Sequence, residues 1–147
     1  MRGLLDRSSV CFAGGVAGGL VAGFGAWLAG RYGWTDALGV SLAPSFDSAW
    51  IYARLIWCGV WGLLFLPPIL DDSVLWRGLF FSLCPSLAQL FFASGGETGA
   101  AGWGVGPGTW APVVVFALNV LWGWTTAAWV VAVTGDGQSS PYGSRLR

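Results

Sequence analysis

The sequence contains no histidine and no lysine. Without imidazole it lacks the usual haem ligand, a principal zinc ligand and the base of Ser-His or Cys-His catalysis. All seven basic residues are arginine, and seven acids bring the net charge to zero. The arginines are scattered and form no basic tract, which excludes nucleic acid as a partner. Only 10% of the 147 residues are charged and 55% are hydrophobic, against about 25% charged in a soluble domain. Such a chain cannot cover a water-facing surface of ordinary composition, nor does it have length for a separate soluble catalytic domain. Cys11, Cys58 and Cys84 stand in apolar stretches without CxxC spacing. They read as small buried hydrophobes, not as a redox pair.

Long apolar runs are what the chain has instead. Mean hydropathy is +0.66. About 20 apolar residues cross a bilayer as a helix, and four runs of suitable length lie at residues 8–30, 49–70, 73–93 and 111–133. The expected architecture is all-α: a polytopic membrane protein with four transmembrane helices in a small bundle. Residues 1–147 form a single membrane domain, with a mobile polar tail from residue 134. The first run is longer than the 7–15 residues of a signal-peptide core and ends without a clear cleavage site, so it reads as an uncleaved helix.

Caps and breakers set the expected boundaries. Thr35 and Asp36 suit the start of a short surface helix that Pro44 ends. Asp47 or Ser48 caps the second run, and Pro67 and Pro68 weaken its last turn. Asp72 or Ser73 caps the third, Pro85 predicts a kink within it, and Pro112 fits the first turn of the fourth. The glycine-rich stretch 94–110 lies between apolar runs and lacks the GKS or GKT of a phosphate loop. It reads as a connector at the membrane surface, anchored by Trp103 and Trp110. With the N-terminus inside, Arg2, Arg7, Arg77, Arg145 and Arg147 face the interior and Arg31 and Arg54 the exterior. The positive-inside rule then puts both termini in the cytoplasm.

Helices in lipid associate through close backbone contact and a few hydrogen bonds. Gly15, Gly19 and Gly23 recur every four residues beside Gly14, Gly18 and Ala22, giving the first helix a smooth strip. Asn119, Gly123 and Ala127 make a second strip on the fourth, with Thr126 nearby. These are the expected helix-packing or partner contacts. Asn119 needs a polar partner, for which Gln89 and the backbone of the first helix are candidates. Arg54, with Trp50 and Trp57 as helical neighbours, is placed to meet lipid headgroups or an anionic ligand. Arg77 lies one turn inside its helix and is expected to snorkel back to Asp71 and Asp72 at the interface.

Three stretches carry a likeness: WGLLF at residues 61–65, RGLFFSLCPSLAQLF at 77–91, and GWGVGPGTWAPVVVFALNVLWGW at 102–124. Over residues 49–133 the pattern resembles the YagU-like small bacterial inner-membrane proteins of unknown function. The resemblance implies a four-helix protein of the bacterial cytoplasmic membrane and supplies no reaction. That pattern often carries histidine near the position of Asn119, so asparagine here argues against a haem or metal role.

The expected function is therefore non-enzymatic. A small accessory or structural subunit would pack through glycine-rich helix faces against a larger energy-transducing or photosynthetic membrane complex, or against itself, with membrane lipids as partners and no cofactor of its own. The alternative is a small dimeric transporter or channel for a neutral or weakly polar solute, lined by Asn119, Gln89, Thr125 and Thr126. A lipid-modifying enzyme using Asp71, Asp72 and Arg77 is the least favoured, since paired acids at a helix start are more often caps.

Overall fold

A computed structural model describes residues 2–40, 48–70, 73–94 and 110–135. Within these residues the chain is 87% helical and contains no strand. Among the described residues there are four α-helices: α1 (Arg2–Arg31), α2 (Ser48–Gly62), α3 (Val74–Ser94) and α4 (Ala111–Thr134). Three helical stretches, Gly3–Arg31, Val74–Phe91 and Ala111–Thr134, are long and apolar enough to cross a membrane, and a shorter apolar one covers Ile51–Phe65. This is a helical membrane protein.

α1 begins six residues before the apolar run and includes Asp6 and Arg7. Once a helix is nucleated, each further residue adds a hydrogen bond at little cost. Ser8 and Ser9 therefore do not cap it; their hydroxyls donate back to Leu4 O and Leu5 O at 2.8 and 3.0 Å. At the other end Arg31 lies over the Trp27 ring, and Phe24–Trp27 and Tyr32–Trp34 stack. The expected surface helix is a single 3-10 turn, Asp36–Leu38, closed by Gly39 at φ 66°. Thr35 supplies no side-chain cap to it.

α2 stops at Gly62, not at residue 70, and passes into a 3-10 turn, Leu63–Phe65. The prolines act several residues upstream of themselves. Pro67 has no N–H for Leu63 O and Pro68 has none for Leu64 O, so the α-helical ladder cannot continue. Ile69 N donates to Pro67 O at 2.8 Å, leaving Phe65 O for another donor. α3, by contrast, runs through Pro85.

α1 and α4 pack together at the centre, with α2 against another face of α1 and α3 against another face of α4. The order is thus α2, α1, α4, α3. The 3-10 turn after α2 folds back on α1. It delivers Phe65, fully buried, against Phe81 of α3 (ring centroids 4.7 Å apart) and Trp122 of α4 (5.9 Å). Cys11, Ala22, Ala127 and Val130 complete this core, and Ala26, Val40 and Val114 form a second one toward the Arg31 end.

Candidate functional site

Glycine brings the backbones together on two faces of α1, about 100° apart around the helix. On the first, Gly15 and Gly62 meet directly: a methyl group on Gly15 would touch Cys58 O and lie 2.8 Å from Gly62 Cα. Gly19 is similarly close to Cys58, whose Cβ would be 2.7 Å from an added methyl. On the second face, a methyl on Gly18 would lie 2.6 Å from Thr126 Oγ1 and 2.7 Å from Trp122 O of α4. A third crossing joins α3 to α4, where Gly123 closes on Gly78 O and its added methyl would lie 3.3 Å from Ser82 Cβ. Ala127 is fully buried in the core. Gly15, Gly19, Gly123 and Ala127 are thus used within the chain. Helices with no hydrophobic drive to associate in lipid take the closest backbone approach available, and here their own neighbours supply it.

Hydrogen bonds fasten the same crossings. Trp122 Nε1 donates to Gly15 O at 3.0 Å, and Thr126 Oγ1 to Gly14 O at 3.3 Å and Trp122 O at 2.8 Å. A carbonyl has two lone pairs, so Gly15 O can take the indole without giving up its place in the helix. Asn119 Nδ2 donates across to α3, to Ser86 Oγ at 3.1 Å and Gln89 Oε1 at 3.2 Å. Ser86 Oγ in turn donates to Ser82 O at 2.7 Å. Gln89 stands out in the sequence as a partner because it is the amide on the facing helix. Ser86 does not, because a serine that bonds its own i−4 carbonyl gives no sign of also accepting from a neighbour.

Arg77 departs furthest from expectation. It does not lie among headgroups; it is 0% exposed. Its Nη2 donates to Phe65 O at 2.8 Å and more weakly to Pro67 O at 3.4 Å, and its guanidinium lies 5.6 Å from the Phe65 ring centroid. The two prolines explain this. They end the helical ladder, Ile69 N turns to Pro67 O, and Phe65 O just beyond the negative end of α2 is left for a cation that satisfies both the hydrogen bond and the helix dipole. Asp71 and Asp72, the expected partners, lie outside the described residues, as do Pro44, Asp47, Trp103, the side chain of Trp50 and the tail beyond residue 135.

Arg54 lies elsewhere, in a groove between α1 and α2. Gly19 and Gly23 form its floor and Leu20, Phe24, Ile51 and Leu55 its walls, enclosing about 240 Å³. Arg54 is the charged member of this lining and is half-buried. Leu20 and Phe24 are more than half exposed, so the groove opens outward. Trp57 points away from the core and meets Trp61 edge-on at 5.8 Å. Among the described residues no group of three or more Cys, Asp or Glu side chains could hold a metal ion, and the three cysteines form no disulfide.

The chain matches no protein-family model, no curated protein and no solved structure.

Proposed function

We infer that the chain is a non-enzymatic integral membrane protein that serves as a structural or accessory subunit of a larger membrane complex. The carrying observation is how its intramembrane polar groups are used. Asn119, Ser86, Gln89, Thr126, the Trp122 indole and Arg77 all make bonds inside the chain, helix to helix or side chain to backbone. They lock helices together. Because the glycine faces are used internally, the surface left for a partner is large-residue and apolar: Phe80, Leu83, Leu87 and Phe91 on α3, and Tyr52, Ile56 and Val60 on α2. The YagU-like sequence pattern points to the same small four-helix class and to the bacterial cytoplasmic membrane. An energy-transducing or photosynthetic assembly is the expected host.

Four crossings fit the lengths. The 15 residues of α2 and the three of the following 3-10 turn measure about 28 Å, close to the ~30 Å hydrocarbon core. An even number of crossings returns the C-terminus to the N-terminal side, and the arginine bias places that side in the cytoplasm.

Purification in mild detergent, followed by mass-spectrometric identification of co-migrating proteins on a native gel, tests the subunit reading. Stoichiometric partners are expected; a solitary monomer under every mild condition overturns it. The second reading, a dimeric channel or transporter for a neutral solute, draws on the Asn119–Ser86–Gln89 cluster. Flux through liposomes that disappears in Asn119→Leu would establish it instead.

A further inference from the structure

The groove between α1 and α2 is not explained by the packing of the chain. Its 240 Å³ lie below the roughly 300–1,000 Å³ of pockets for drug-sized molecules. An open slot of this size suits a length of flexible hydrocarbon chain. Two glycines on one side leave the helix surface without side chains, and four large apolar residues flank the slot. The groove opens past Leu20 and Phe24, and both flanking helices read as membrane spans, so the medium it opens into is hydrocarbon.

Charge then decides among lipids. Arg54 borders the slot with its aliphatic stem, six residues in from Ser48, about 9 Å along the helix. From that depth a guanidinium reaches the interface by extending its stem, and its planar fork matches the oxygens of a phosphate. The stacked Tyr32–Trp34 pair and Arg31 over Trp27 mark the same end of α1 as the polar boundary. We propose that the groove is a binding site for one anionic membrane phospholipid: an acyl chain lies on Gly19 and Gly23, and the phosphate meets Arg54. The site rests on the reading of α1 and α2 as membrane spans, not on the subunit reading.

The test is native mass spectrometry of the purified chain released from nanodiscs of equal phosphatidylglycerol and phosphatidylcholine. The wild type retains one lipid, with phosphatidylglycerol favoured about fivefold, the ratio expected for one cation near an anionic headgroup. Arg54→Gln brings the ratio to about one, and Arg54→Lys keeps a preference. Leu20→Trp, made at a residue 53% exposed, fills the slot from outside without disturbing the core and removes both lipids. A wild-type ratio near one, an unchanged ratio in Arg54→Gln, lipid retention that survives Leu20→Trp, or a lipid-free dimer would each overturn the proposal. Retention is read on the isolated chain, so its failure is separate from failure to find a partner complex.

Discussion

Arg77 shows how a single charge can be held inside a membrane protein. Its donor group answers a backbone acceptor, Phe65 O, whose helical partner, Ile69 N, turns instead to Pro67 O. Removing a buried donor while leaving the acceptor costs about 1–3 kcal/mol. Arg77→Met keeps much of the stem volume and loses the donor, so it is expected to destabilise the fold by that amount in denaturant titrations in micelles. Arg77→Lys should recover part of the loss. Asn119 belongs to a milder class. Its bonds to Ser86 and Gln89 lie between helices, where measured gains average about 0.6 and reach about 1.7 kcal/mol. Asn119→Leu is expected to fall within that range in the same titration. Of these two residues, the sequence announces the need of Asn119, since an amide in an apolar helix must find a partner. It gives no hint of the destination of Arg77. That depends on where α2 ends and how the next turn folds back, and an acceptor twelve residues upstream leaves no periodic trace.

Helix contacts were legible in kind and not in direction. Four-residue glycine spacing marks α1 as a close-packing helix, but Gly14 and Gly18 face α4 while Gly15 and Gly19 face α2. Adjacent positions differ by about 100° around a helix, so one strip read along the sequence is two contact surfaces in space. The same geometry grades the glycines. At Gly15 a methyl would meet the backbone of α2, with Gly62 Cα at 2.8 Å, whereas at Gly25 the nearest atom is the flexible end of Leu121 at 3.3 Å. Gly15→Ala is expected to cost about 1–3 kcal/mol through overpacking. Gly25→Ala should be near neutral, the Leu121 side chain yielding by a small rotation. Thermal unfolding of the two variants side by side checks this. The apolar run overstates the length of α2 for a related reason. Hydrophobicity continues to Leu70, but the hydrogen-bond ladder ends where proline withdraws its donors, four residues earlier than the prolines themselves.

At the scale of the molecule, α2, α1, α4 and α3 pack in that order, and the central pair comes from opposite ends of the sequence. Apolar run length made the membrane assignment plain from composition alone, whereas this spatial order could not be read, because every helix is apolar on all sides. The four crossings proposed above put both ends of the chain on one side. Single cysteines placed near residue 3 and near residue 140, in a background with Cys11, Cys58 and Cys84 replaced, are expected to react with an impermeant maleimide from the same face of inverted vesicles. The pairing of first helix with last also sets a schedule for biosynthesis. The indole that bonds Gly15 O is 107 residues downstream, and at about 5–20 residues per second it emerges on the order of 5–20 s later. Throughout that interval the Gly14–Gly18 side of α1 stands in the bilayer without its mate. A ribosome stalled before α4 is made would leave that side open to any small-faced helix nearby.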